Sequence, residues 1–140
     1  MLKSALCLLI VAFAACGQTP AEKLRFDELK SLEGTWKLEE FNFEPATKEH
    51  LTVIKGDKAT FADRPVRRFT IDPSKDPKWI DFIVHEKGGE KVILQGIYSI
   101  KGDTLIIYVN TGNQDRGRPT KLNDKKFDGQ HYKMMRIKKT

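Results

Sequence analysis

The spacing of apolar residues changes once along the chain, near Gly34, from a helical to an alternating pattern. Before that point, Thr19-Pro20-Ala21-Glu22 supplies a cap residue, a first-turn proline and an acid at the third position, which together form a capping box. Apolar residues at a loose helical spacing follow, so a short helix is predicted over Pro20 to Ser31. Beyond Gly34, apolar and polar residues alternate, which indicates strands with one buried face.

Turn signals divide the alternating region into hairpins. The tetrapeptides Ile54-Lys55-Gly56-Asp57 and Ile100-Lys101-Gly102-Asp103 each place glycine first in a two-residue turn, which favours type II′ hairpins. Gly88-Gly89 separates another pair of apolar runs. Eight strands are predicted, over residues 35–43, 50–54, 58–62, 66–72, 79–85, 91–100, 104–110 and 130–138. The stretch over residues 111–129 leaves room for one more short strand.

Two features indicate that these strands bend and close on themselves. The apolar parity flips between Leu38 and Phe41, as it does when a β-bulge adds one residue to a strand. Gly96, inside the longest predicted strand, marks a second bend or bulge. The predicted fold class is therefore all-β, an up-and-down antiparallel β-barrel of about eight strands with a short N-terminal helix.

The first residues have the pattern of a signal peptide, with Lys3 followed by an uncharged apolar run and small residues. Phe13-Ala14-Ala15-Cys16 resembles a bacterial lipobox, in which Cys16 becomes the lipidated N-terminus, although leucine is usual where Phe13 stands. Ordinary cleavage after Ala14 is the alternative, and it would release a secreted protein. Under the first interpretation the protein is held in the cell envelope by a lipid anchor in the membrane.

The predicted organisation is one domain behind this leader. Residues 1–15 form the signal peptide, residues 16–31 the lipid-anchor tether with the short helix, and residues 32–140 the barrel. Gly17, directly after the cysteine, favours the outer membrane over the inner one. Cys7 is lost with the leader, so the two cysteines of the chain cannot pair within the mature protein.

The composition favours a binding or structural protein over an enzyme. The formal net charge is +6, but basic residues are mixed with acidic ones, so no nucleic-acid partner is expected. The three histidines lack metal-ligand spacing and are interpreted as solvated turn residues. No nucleophile motif or phosphate-binding loop is present. We therefore expect no catalytic residue, no metal and no cofactor.

Several motifs together carry a resemblance to a known family. Gly34-x-Trp36 after a short helix resembles the opening of lipocalin-type barrels, and Arg136 stands where their last strand places an arginine against the indole. "LEGTWKLEEF", "FTIDPSKDPKWIDF", "GIYSIKGDTLIIYV" and "RGRPTKL" are similar, in this order, to an uncharacterised family of small exported lipocalin-like domains abundant in planctomycete-type bacteria. The family pattern has phenylalanine where this chain has Leu122. The resemblance implies a lipocalin-like barrel, export, and barrel closure by Gly34, Trp36 and Arg136; it implies no activity.

The most site-like stretch is Arg116-Gly117-Arg118-Pro119-Thr120. Two interpretations fit it. Arg116, Arg118 and Thr120 could bind an anionic group at the barrel rim, or Arg118 could pin the loop by pairing with an acid such as Asp81 or Asp103.

Two non-enzymatic functions follow from a barrel of this kind. The protein could bind a small apolar or amphipathic ligand in the barrel, or it could be an envelope interaction or structural module with a filled barrel. The aromatic residues expected to line or fill the interior are Phe43, Phe61, Phe69, Phe82, Tyr98 and Tyr108.

Overall fold

The computed structural model describes residues 17–62, 64–112 and 114–138, so the predicted signal peptide and Cys16 lie outside the described residues. In this part of the chain one α-helix, α1 (Pro20–Leu32), precedes nine strands, and a single 3₁₀ turn covers Gln114–Arg116. The strands are β1 (Gly34–Phe41), β2 (Glu44–Pro45), β3 (Leu51–Lys55), β4 (Lys58–Phe61), β5 (Arg67–Asp72), β6 (Lys78–Glu86), β7 (Gly89–Lys101), β8 (Thr104–Asn110) and β9 (Gly129–Arg136).

The strands form a closed antiparallel barrel, which confirms the predicted fold class. Each strand from β3 to β9 pairs with the next, and β1 pairs with both β3 and β9. The eight-stranded ring is therefore complete, and β2 is an additional short strand that pairs only with β1. Closure leaves the ring without a free edge.

Helix α1 covers the end of the barrel at which β1 begins, called the helix end below. The helix starts with the predicted capping box, in which Thr19 and Glu22 each bond the other's backbone N–H. Its last residue, Leu32, is fully buried in the barrel core. The hairpin turns at this end have positive φ at Gly56 and Gly102 and at neither following aspartate, as type II′ turns require.

The first strand bulges where the parity flip predicts it and ends two residues earlier than expected. The pairing of β1 with β9 shifts register between Leu38 and Glu40. Asn42 and Phe43 then both adopt positive φ, of 51° and 67°, and form the two-residue turn into β2. Two successive positive φ angles are the mark of a type I′ turn, for which asparagine is well suited.

Two expectations about the later strands are corrected. The register shift in β7 falls at Ile93, because Phe82 pairs with Leu94 while Ile83 pairs with Val92. Gly96 instead permits a close approach, since a Cβ there would lie 2.6 Å from the carbonyl oxygen of Tyr108. The described part of the stretch 111–129 holds the 3₁₀ turn and no additional strand before β9.

Buried aromatic residues lie in two separate layers, which also differs from expectation. Phe61, Phe69, Phe82 and Tyr98 belong to or pack on the core inside the barrel. Phe43 and Tyr108 lie outside it, where both rings pack against His131. His131 is only 4% exposed, so its interpretation as a solvated turn residue is wrong. The cause is the turn at Asn42, which carries Phe43 onto the outer surface.

Candidate ligand site

The barrel interior is filled by side chains at the helix end. Six of the residues buried there are Trp36, Ile54, Ile71, Tyr98, Leu105 and Met134. Tyr98 donates its hydroxyl hydrogen to Glu28 of α1, which also accepts a hydrogen bond from Lys78. The buried environment raises the pKa of Tyr98, so its hydroxyl stays protonated as a donor.

The opposite end of the barrel, called the open end below, contains a cavity of about 580 Å³. Apolar and aromatic side chains form most of its wall: Phe61, Phe82, Ile93, Leu94, Ile107, Val109 and Tyr132. These residues come from β4, β6, β7, β8 and β9, so the cavity is continuous with the barrel interior. Alternating strand positions explain this arrangement, because residues two apart face the same side.

A second cavity of about 600 Å³ adjoins the first and is lined in part by β2 and the loop that follows it. Leu38, Phe41, Pro45 and Ala46 supply apolar wall here. Phe61, Arg64 and Tyr132 line both cavities. The rings of Phe61 and Tyr132 have centroids 6.0 Å apart, so this aromatic pair divides two lobes of one site. Tyr132 is held in place by donating its hydroxyl hydrogen to Gln130, 2.9 Å away.

Cationic side chains stand at the mouth of the first cavity. Arg64 comes from the loop between β4 and β5, Arg67 from the start of β5, and Lys91 from the start of β7. Asp115 also lines this cavity. Beside Arg64 and Arg67, β4 and β5 pair through only two residue pairs, Lys58 with Arg68 and Ala59 with Arg67.

The three residues expected to close the barrel lie together at the helix end. The guanidinium carbon of Arg136 lies 4.2 Å from the centroid of the Trp36 ring. Arg136 also donates to the backbone carbonyls of Ser31 and Glu33, and the indole N–H of Trp36 donates to the carbonyl of Leu32. Gly34 leaves room for this packing, because a Cβ there would lie 2.7 Å from a guanidinium nitrogen.

The loop residues expected at the rim lie on the outside of the barrel, and none of the three lines either lobe. Arg118 donates to both carboxylate oxygens of Asp81 and to the carbonyl of Gly96, with its guanidinium carbon 4.1 Å from the Trp79 ring centroid. Arg116 pairs with Asp128 at the surface, and Thr120 is exposed. Asp103, the other acid considered for Arg118, pairs with Arg136 and Lys138.

Sequence reasoning missed Asn110, which is fully buried at the end of β8. Its side-chain oxygen accepts a hydrogen bond from the backbone N–H of Gln95, and its amide donates to the carbonyl of Gly117. The three cations at the mouth were also missed, because they come from separate segments and share no local motif. Cys16, the expected lipidation site, lies outside the described residues.

No group of three or more His, Cys, Asp or Glu side chains in the described part of the chain is placed to hold a metal ion. No helix within the described ranges is long and apolar enough to cross a membrane.

An eight-stranded closed barrel with a helix over one end and a cavity at the other defines a lipocalin-like protein. The family model described as a lipocalin-like domain matches residues 32–128, and the chain belongs to this family. No curated protein and no solved structure matches the chain.

Proposed function

We propose that this protein is an exported, lipid-anchored binding protein that holds a small apolar or amphipathic molecule at the open end of its barrel. The observation that carries the proposal is the cavity of about 580 Å³ walled by apolar and aromatic residues. Ligand sites usually measure about 300–1,000 Å³, with mainly apolar walls and a few polar groups. Eight-stranded barrels of the lipocalin kind can hold one small ligand.

The site supports a role in binding, without catalysis. Its inner wall offers Phe61, Phe82 and Ile107, whose side chains bind apolar surface and supply no acid, base or nucleophile. The polar groups stand at the mouth, where they can orient a ligand. The buried side chains that fill the barrel are packed at the helix end, so the open end can hold a ligand.

The experiment is native mass spectrometry of a Cys16→Ser variant, which cannot be acylated at this position, purified from its own cells without added detergent. We expect a reproducible bound mass that disappears on denaturation and that extraction recovers as an apolar or amphipathic compound. A bare polypeptide mass, with no uptake of a neutral apolar dye, would contradict the proposal.

Export and anchoring at Cys16 rest on the sequence pattern of residues 1–16. Gly17 stands two residues before Thr19, the N-cap of α1, so an anchor at Cys16 would hold the helix close to the membrane. Mass analysis of the N-terminal peptide tests this step. Acyl chains on Cys16 would support it. An unmodified N-terminus at Ala15 would instead indicate ordinary cleavage after Ala14 and no lipid anchor. From the motifs quoted above, we also propose that the chain belongs, within the lipocalin-like family, to the exported group abundant in planctomycete-type bacteria.

A second candidate function, interaction with an envelope protein, is favoured by one outer surface. Four large apolar side chains are exposed on β3, on β9 and just beyond β9: Leu51, Val53, Met135 and Ile137. Their strands flank β1, so the four surround Thr35 and Lys37. Exposed apolar patches commonly mark interaction sites. This candidate predicts that the wild type migrates in a large envelope complex on a native gel and that a V53D/M135D variant migrates alone. Unchanged migration of the variant would count against it.

A further inference from the structure

We propose that the ligand of the open-end cavity is an amphipathic anion, a carboxylate or phosphate group on an apolar body. Its charged group would lie at Arg64, Arg67 and Lys91, and its apolar body would enter the barrel. This inference rests on the proposed function, since it names the class of ligand for the same cavity.

The first support is the charge at the mouth. None of the ion pairs found among the described residues includes Arg64, Arg67 or Lys91. The adjacent Arg68 differs, since it faces outward and pairs with both Asp57 and Glu90. Among the described residues that line this cavity, Asp115 is the one carboxylate, against three cations. A cleft lined mainly by one sign of charge attracts the opposite charge.

The second support is the abrupt change from charged to apolar lining along the same cavity. Arg67 occupies an inward position of β5, and the next inward position holds Phe69, which is buried in the core. Phe82, Ile107 and Val109 continue the apolar wall beyond it. A purely apolar ligand would bring no negative charge to the cations, and a small polar anion would leave the apolar wall in contact with water. A molecule with both parts satisfies both halves of the site.

The third support is the position of Arg64. It lines both lobes, and its charge lowers the pKa of Tyr132 against the larger raising effect of burial. The guanidinium therefore stands near the phenol that divides the two lobes. An acid group bound to Arg64 would lie at the junction, from which an apolar chain has access to either lobe.

The test measures displacement of the neutral dye N-phenylnaphthylamine from the full chain, purified free of detergent. Four competitors have unbranched ten-carbon chains, counting the carboxylate carbon of decanoate, and differ in the head group: decanoate, decyl phosphate, decanol and decyltrimethylammonium. The wild type is compared with R64Q/R67Q/K91Q, which removes the three mouth cations. The matched control K55Q/K58Q/K101Q removes three exposed cations at the hairpins of the helix end.

We expect at least one anion to displace the dye from the wild type at about tenfold lower concentration than decanol, because charge-assisted hydrogen bonds are stronger than those of a neutral hydroxyl group. The mouth variant should lose this advantage and the control should keep it. Whichever of decanoate and decyl phosphate displaces the dye at the lower concentration then distinguishes a carboxylate ligand from a phosphate ligand.

Two results would overturn the inference, and they are distinguishable. Dye binding with equal displacement by decanol and both anions would refute the anionic ligand while leaving the cavity a binding site. Failure of the dye to bind at all would refute the proposed function and this inference with it. The wild-type ranking of the four competitors decides the first case even if the mouth variant does not fold.

Discussion

At the scale of single residues, Arg136 connects three parts of the helix end. It stacks on Trp36, bonds two carbonyls at the end of α1, and lies 3.5 Å from a carboxylate oxygen of Asp103. A guanidinium can make all these contacts at once because it is planar and carries five N–H donors in a fixed fork. We therefore expect its shape, beyond its charge, to stabilise the closed end.

Arg136→Lys tests this expectation, because it keeps the charge and removes the fork. An ammonium cannot stack on the indole and bond both carbonyls, so the free energy of unfolding should fall by about 1–3 kcal/mol. Urea unfolding measures the change. Arg25→Lys, on an exposed position of α1, is the matched control and should leave the midpoint unchanged. Equal midpoints for the two variants would contradict the expected role of Arg136.

His131 is the second residue with a distinct physical consequence. Its ring stacks on Phe43, with centroids 4.0 Å apart, and its Nδ1 has no hydrogen-bond partner among the described residues. Burial lowers its pKa, with Lys133 acting in the same direction and Glu40 against it. The neutral imidazole is therefore the form that the folded protein accommodates.

Stability should consequently depend on pH through His131. Below its ordinary pKa of 6.5, the unfolded chain binds a proton that the folded chain resists, so the free energy of unfolding falls as the pH falls. The loss should continue until the pH reaches the lowered pKa of the folded state. Urea unfolding from about pH 7.5 to about pH 5.5 should show this decline.

His131→Phe should flatten that decline, because phenylalanine cannot take up the proton. His85→Phe, at an exposed position of β6, serves as the control and should leave the slope as it is in the wild type. An identical pH dependence in the wild type and the His131 variant would show that burial of this imidazole does not contribute to the loss of stability at low pH.

At the scale of elements, side chains attach the loop between β8 and β9 to the outer wall of the barrel, and Tyr108 does so by donating to the carbonyls of Asp124 and Phe127. Asn110 bonds Gly117, and Arg118 bonds Asp81 and the carbonyl of Gly96. The side chains of Arg118 and Asp81 are both mostly buried, at 15% and 23% exposed. We expect Arg118 to pin the loop, and Arg116, whose pair with Asp128 is half exposed, to contribute little.

Arg118→Gln and Arg116→Gln form a matched pair of variants for this loop. The first should speed amide exchange over the loop and lower the free energy of unfolding by about 1–3 kcal/mol, since it leaves Asp81 without its cation. The second should change stability by less than about 1 kcal/mol. Hydrogen exchange with mass detection measures both. Equal exchange of the loop in the two variants would contradict the pinning role.

Elements governed by local signals could be predicted from the sequence. The capping box at Thr19, the glycine-led turns and the parity flip near Leu38 each depend on adjacent residues, and the structure places them as expected. Phe43 was misplaced because alternation continues through the turn that ends β1. The mouth of the cavity could not be predicted, since Arg64 and Lys91 meet only after closure of the barrel.

At the scale of the whole molecule, the two ends of the barrel differ in how their interior is filled. The helix end is filled by large buried side chains and covered by α1, whereas the open end retains two lobes separated by Phe61 and Tyr132. The pairing of β4 with β5 is short, at two residue pairs, and Arg64 lies in the loop that joins these strands.

The most direct test of the binding role is titration of the full chain with N-phenylnaphthylamine, comparing the wild type with Leu94→Trp. Leu94 lines the first lobe, so an indole there should occupy the space of the dye. Val53→Trp adds a similar bulk at an exposed position on β3 and serves as the control. We expect saturable binding to the wild type and the control, and at least about tenfold weaker binding to Leu94→Trp. Equal binding to all three proteins, or to none, would contradict a ligand site inside the barrel.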